Sequence, residues 1–301
     1  MRFVFLFCAV AILGSVRAEV YDCFTFFNEL ELLHIRLEEL DSVVDRFVIV
    51  ESPISYTGKE KPLYFHENRD QFDKFKHKIT HIIVEQFPGL TGNEEHDHWY
   101  RESYSRDMIL RGLEHCQDDD VIFISDLDES PSADAVRRIQ SYLSQFKNLP
   151  VRKRARIDHS KLVCALDMRL FMYSMNLENL AGWYGGAKAA PYWLVCLEGG
   201  WGIKTYHHHH SSMHKIPNGG WHFNTMGGKD RSLYKWLFTG PIYYQGNEKA
   251  LLELGEHPEL LEQSYRGQVA SNTVIVPIDD TYPRYFLDHM GYFREIGWIY
   301  E

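Results

Sequence analysis

Hydrophobic and polar positions in the first half of the chain switch between two periods. Short β-prone runs, "YDCFTFF" (Tyr21 to Phe27), "RFVIVES" (Arg46 to Ser52), "ITHIIVEQ" (Ile79 to Gln86) and "VIFIS" (Val121 to Ser125), read as strands. Stretches of helical spacing separate them. Leu30, Leu33, Leu37 and Leu40 form one stripe, with Glu29, Arg36 and Glu39 among the polar positions. Asn28, with Glu31 three residues on, reads as the N-cap and capping box of that helix. Tyr100 to His115 is a second helical segment, with Tyr104, Met108 and Ile109 on its apolar side. A third opens at Ser130-Pro131 and runs to about Phe146. Strands alternating with helices predict an α/β fold with a mostly parallel central sheet flanked by helices.

From Lys147 the texture changes. "GWYGGAKAAPYW" (Gly182 to Trp193) and "IPNGGWHFNTMGGKD" (Ile216 to Asp230) are rich in glycine and aromatics and read as loops folded closely around a ligand. A Leu/Glu-rich helix is predicted over Glu248 to Gln263. With no internal repeat and no long linker, residues 19–301 read as a single domain with a C-terminal elaboration.

Composition narrows the partners. A formal net charge of −10 argues against nucleic acid, because phosphate backbones require clustered lysine and arginine. The one dense basic stretch, "VRKRARIDH", reads as solvated surface. The start is different: Arg2 precedes the apolar run "FVFLFCAVAIL", and Val16-Arg17-Ala18 places small residues where a signal peptidase cuts. That run is shorter than the roughly 20 residues of a membrane span. Residues 1–18 therefore read as a cleaved signal peptide rather than an anchor, directing the chain into the secretory pathway, to the ER or Golgi lumen or outside the cell. The remaining cysteines, Cys23, Cys116, Cys164 and Cys196, form no C-x-x-C pair, and Cys23 reads as a buried thiol.

In parallel sheets, ligands bind at the carboxyl ends of the strands. Three predicted strands end in polar or acidic residues: Asn28-Glu29, Glu51, and Asp126/Asp128 with Glu129. Asp-x-Asp at a strand end suits Mg²⁺ or Mn²⁺, hard ions that keep positions open for phosphate oxygens. The bland alternative is that these acids meet the N-terminus of the next helix.

The blocks "YDCFTFFNELELLHIRLEELDSVVDRFVIVES", "YTGKEKPLYF", "ISDLDESP" and "IPNGGWHFNTMGG", in that order from about Tyr21 to Asp230, resemble glycosyltransferase family 17. The resemblance implies a GT-A-like nucleotide-sugar-binding fold, UDP-GlcNAc as donor, Mn²⁺ or Mg²⁺ bound through Asp126 and Asp128, and a mannose-containing glycan as acceptor. An α-linked donor and a β-linked product imply an inverting, single displacement. His222 matches a family position and is expected as a further metal ligand or phosphate contact, its alternative being packing among aromatics. Glu198, Glu129 and Asp230 are candidates for the base, with Glu198 placed first. Asn28, Glu29 and Glu51 are expected near the nucleoside, Lys188 at the diphosphate and Trp221 against a sugar face. Their alternatives are a cap, surface charge, a solvated lysine and a core tryptophan. "YHHHHSSMH" (Tyr206 to His214) reads as a variable surface loop rather than a metal site. The competing functions are a secreted carbohydrate-binding protein that has lost catalysis, and a phosphohydrolase, which would need a second cluster of metal ligands.

Overall fold

The computed structural model describes residues 17–183, 185–209, 212–239 and 273–300. Strands β1 (Val20–Thr25), β2 (Arg46–Glu51), β3 (Ile79–Ile83) and β4 (Val121–Asp126) form the parallel part of the sheet, in the order β3-β2-β1-β4. The sheet continues with β5 (Glu129–Pro131), β6 (Cys164–Met172), β7 (Leu177–Trp183), β8 (Lys188–Pro191), β9 (His214–Asn224) and β10 (Thr273–Ile275). Beyond β4 the order is β8-β6-β7-β10, all antiparallel neighbours, while β9 runs parallel to β6 and antiparallel to β5. The helices are α1 (Leu30–Leu40), α2 (Tyr64–Asn68), α3 (Glu94–Asp107), α4 (Ala133–Ser144), α5 (Val151–Arg154), α6 (Tyr192–Lys204), α7 (Gly228–Thr239), α8 (Arg284–Asp288) and α9 (Met290–Glu295).

The α/β architecture with a parallel core follows from the pattern, because successive strand residues point to opposite faces. On one face Val20 and Phe24 of β1, Phe47 and Ile49 of β2 and Val121 and Phe123 of β4 pack with leucines of α1 and with α4 and the C-terminal helices. On the other, Tyr21, Cys23, Val48, Val50, Ile122 and Ile124 pack with residues of α6. Cys23 is a buried free thiol, as expected, and the other three described cysteines are also free.

Several boundaries depart from the pattern. Helix α1 begins at Leu30 with Glu29 at its cap position, and no side chain makes a capping hydrogen bond, so Asn28 is not the cap. Arg36 is not a surface position but fully buried. Helix α3 starts at Glu94, capped by the Asn93 side chain accepting from the His96 amide. Glu129 to Pro131 pairs with β9 as strand β5, so the cap of α4 is Ser132, which accepts from the Ala135 amide. The predicted glycine-rich loop from Ile216 is largely strand β9. Its Gly220, at φ +143, threads between neighbours so closely that a Cβ would sit 2.1 Å from the Ser130 carbonyl oxygen. The predicted helix from Glu248 to Gln263 and most of the leader lie outside the described residues. Among the described residues no helix is long and apolar enough to cross a membrane.

Candidate active site

The carboxyl ends of β1, β2 and β4 open into one cleft, closed by α3, the end of β7, β9 and α7. Alternation along β4 decides which way each polar group points. Ser125 lies on the α1 face and Asp126 on the α3 and α6 face, as their partners show.

On the α1 face, Arg36 holds the turn that carries the acids. Its guanidinium makes a two-point ion pair with Asp22 of β1, at 2.6 and 2.8 Å, and donates to Ser125 Oγ at 2.6 Å. Its remaining nitrogen donates to the carbonyls of Asp126, Leu127 and Glu129 at 2.8–3.0 Å. Three backbone acceptors of the turn thereby share one charged donor group.

On the other face, Arg106 of α3 meets Asp126 at 2.5 Å and Glu102 at 2.9 Å. Lys204, from the last turn of α6, reaches Asp126 Oδ2 at 3.0 Å and also contacts Glu129. Glu129 accepts further from Trp183 Nε1 at 2.8 Å and from the Asp126 amide at 3.0 Å. Gly186 lies against this contact, where a Cβ would come within 1.9 Å of Glu129 Oε1. Asp128 Oδ2 faces Lys235 of α7 at 2.7 Å and His222 Nε2 at 3.6 Å, and Lys235 also reaches Glu29 at 2.7 Å. The β5–β9 ladder sets His222 opposite Glu129, which brings it beside Asp128.

Burial alone would raise both aspartic acids. The cations overcome it: Arg106 and Lys204 hold Asp126, and Lys235 with His222 hold Asp128, well below the usual carboxylate range. Burial pushes Glu102 the other way, above that range, against the opposing pull of Arg106.

The sequence-predicted residues separate into two groups. Asp126, Asp128, Glu129, Glu29, Glu51 and His222 converge on the cleft. Glu51 is committed at the same time to the α2 N-terminus, accepting from the Phe65 and His66 amides at 2.9 and 3.2 Å. The others stand elsewhere. Glu198 lies outside the cleft lining, its carboxylate 3.9 Å from His159. Lys188 is buried with its ammonium on the carbonyls of Gly185, Gly186 and Lys204 at 2.7–2.9 Å, so it points no donor at a diphosphate. Burial pushes its amine down to about 7. Trp221 packs in the core and donates to the Thr281 carbonyl. Asn28 and Asp230 do not line the cleft.

Among the described residues no group of three histidine, cysteine, aspartate or glutamate side chains is arranged to hold a metal ion, so Asp126, Asp128 and His222 do not form a three-ligand cage. The reason is visible: the Asp126 carboxylate is turned onto Arg106 and Lys204. Asp128 and His222 remain as a two-donor edge, and buried His222 Nδ1 has no hydrogen-bond partner among the described residues. Two protein donors suit Mg²⁺ or Mn²⁺, which usually take one or two carboxylates and complete their shell with water and substrate phosphate. Charge points the same way. Six carboxylates (Glu29, Glu51, Glu102, Asp126, Asp128, Glu129) meet four fixed cations (Lys61, Arg106, Lys204, Lys235), an excess that one divalent ion would balance.

The family model for glycosyltransferase family 17 matches residues 11–225, which include all of β1 to β9 and every acid of the β4 turn. The chain belongs to glycosyltransferase family 17. Curated relatives include the β-1,4-mannosyl-glycoprotein 4-β-N-acetylglucosaminyltransferases of Rattus norvegicus, 32% identical over 134 residues, and of Homo sapiens, 33% identical over 121 residues. These alignments take in 42% and 38% of this chain but only 24% and 22% of the relatives. Similar solved structures include Mycobacterium tuberculosis glucosyl-3-phosphoglycerate synthase, with a TM-score of 0.35 and 12% identity over 68% of this chain and 72% of that one. A second structure of that enzyme, in complex with Mn²⁺, UDP and glucosyl-3-phosphoglycerate, gives the same score and identity over 68% and 71%.

The charged partners of these acids, Glu102, Arg106, Lys204 and Lys235, are not singled out by the sequence. Glu102 and Arg106 carried a weak signal, an i, i+4 acid–base pair on a helix. Lys204 and Lys235 carried none, because each is a single lysine, Lys204 at the end of α6 and Lys235 within α7.

Proposed function

We propose that this family 17 enzyme is an inverting, GT-A-like transferase that moves N-acetylglucosamine from UDP-GlcNAc to a mannose-containing glycan. The observation that carries the reading is Asp128, a buried carboxylate at the carboxyl edge of the sheet with His222 and Lys235 on one of its oxygens. In the reaction, the acceptor hydroxyl oxygen bonds to the sugar C1 as the bond from C1 to the β-phosphate oxygen breaks. That electron pair leaves on UDP, the hydroxyl proton goes to a base, and the configuration at C1 inverts.

Asp128 and His222 would hold a divalent cation, which supplies positive charge against the departing diphosphate. Asp126, oriented by Arg106 and Lys204, presents an acceptor to a ribose hydroxyl. Glu102 is the base we favour, since it lines the cleft and burial raises its proton affinity toward working pH. Glu129 is less suited, with both oxygens engaged by Trp183, Lys204 and the Asp126 amide. The apolar leader supports a secretory-pathway setting, in the lumen or outside the cell.

The test is a screen of nucleotide sugars with a mannose-terminated N-glycan, reading nucleotide release with Mn²⁺ and with EDTA. UDP release from UDP-GlcNAc in Mn²⁺ alone is expected. Release from no donor removes the transferase reading, and equal release in EDTA removes the cation from it. In the same assay Glu102→Gln should lower turnover about a hundred-fold with UDP affinity kept, whereas Glu198→Gln should change neither. The acid limb of the wild-type rate should lie above the ordinary carboxylate range, because the base must be ionised and its affinity for the proton is raised. Unchanged turnover in Glu102→Gln assigns the proton to another group.

A further inference from the structure

Helix α7 lies beyond the residues that the family model matches, yet it supplies the cation nearest Asp128. It is docked firmly on the first half of the chain. Tyr234 stacks on Phe27 and shares a hydroxyl hydrogen bond with Tyr64 at 2.8 Å, Arg231 pairs with Glu31 at 2.9 Å, and Thr57 donates to the carbonyls of Leu237 and Phe238. These contacts hold the Lys235 ammonium between Asp128 and Glu29, 2.7 Å from each. Lys235 touches the same Asp128 oxygen, Oδ2, that His222 faces.

We infer that Lys235 is an exchangeable counter-ion, which competes with a divalent cation for Asp128 and, once displaced, binds the donor's diphosphate. The inference rests on the nucleotide-sugar reading above. A small divalent cation such as Mg²⁺ coordinated directly by Oδ2 would sit at about 2.0–2.1 Å, and an ammonium cannot keep its 2.7 Å contact with the same oxygen at that side without strong like-charge repulsion. Glu29 keeps the displaced lysine tethered at the cleft, because its carboxylate is an independent partner 2.7 Å from the ammonium. The ammonium is then a free donor next to the site where phosphate charge accumulates, and lysine serves there as a point charge. Cation entry and donor binding are in this way coupled through one side chain: without the lysine the cation binds more readily and the nucleotide less so.

The test uses the full chain as wild type, Lys235→Met and Lys235→Arg, with thermal unfolding to show that each is folded. Mn²⁺ is titrated alone, by calorimetry or by the loss of its free paramagnetic signal, and UDP is titrated at saturating Mn²⁺. Lys235→Met should bind Mn²⁺ roughly ten-fold tighter and UDP roughly ten-fold more weakly, the order expected for one nearby charge in a partly screened site. Lys235→Arg should stay near wild type in both. If Lys235→Met does not fold, Lys235→Gln takes its place with the same expected pair of shifts. Unchanged or weaker Mn²⁺ binding, or unchanged UDP binding, overturns the inference while leaving the transferase reading intact. A wild type that binds neither Mn²⁺ nor UDP overturns both.

Discussion

Asp128→Ala should abolish Mn²⁺-dependent UDP binding and lower sugar transfer by roughly a thousand-fold, the scale of losing the main electrostatic support of a leaving group. The fold should survive. Lys235 keeps Glu29 at 2.7 Å when Asp128 is gone, so no buried cation is left alone, and the backbone of the turn is held by Arg36 and by the Phe223 amide bonded to the Asp128 carbonyl. Lys235 and His222 hold the Asp128 carboxyl well below the usual carboxylate range, so protonation of Asp128 itself should not shape the pH dependence of the loss. Calorimetric titration of UDP with Mn²⁺, beside a melting curve, checks both halves. Wild-type affinity for UDP in the variant would take Asp128 out of the site. A collapse of the melting transition would instead mean that the carboxylate is there for folding.

Arg36→Met should destabilise the chain by about 3–5 kcal/mol, the usual cost of stripping one partner from a buried ion pair. It strands the Asp22 carboxylate on the α1 face, where both side chains are essentially inaccessible to water (0% and 1% exposed). The double variant Asp22→Leu with Arg36→Met removes that unpaired charge and should recover much of the stability, since apolar groups of similar volume replace such pairs at little cost. Activity should not recover with it. The carbonyls of Asp126, Leu127 and Glu129 would still lack their donor, and the turn that aims Asp128 would relax. Urea unfolding and steady-state kinetics on the three proteins separate the two effects. A stable and fully active double variant would show that the guanidinium serves packing alone.

The parallel strands and the acidic turn are legible because they depend on local periodicity, and the end of the fourth apolar run places Asp126 and Asp128 at the carboxyl edge of the sheet. Arg36 was half legible. Its number falls on the Leu33–Leu37–Leu40 stripe, and Asp22 falls between Val20 and Phe24 on the buried face of β1, so two opposite charges pointed into one core. Reading the arginine as a solvent position ignored the stripe. Lys188 and Trp221 differ for another reason: both glycine-rich, aromatic segments read as ligand-binding loops, whereas Lys188 opens strand β8 and the glycines beside Trp221 let β9 pass between β5 and β6. Glu198 sits on α6 with its carboxylate toward His159, a direction that its place in the chain does not give. The cations of the cleft come from α3, α6 and α7, elements brought together only by the tertiary fold.

The opposed facing of Ser125 and Asp126 makes strand β4 intolerant of a change in its residue count. Inserting or deleting a single residue within Val121–Asp126 would hand the serine's place under Arg36 to a neighbour and turn the aspartate away from Arg106 and Lys204. Compensating substitutions on one side of the sheet could not repair the other, so drift in length should be confined to the connections between strands, and engineering of this scaffold should leave that one segment at its present length.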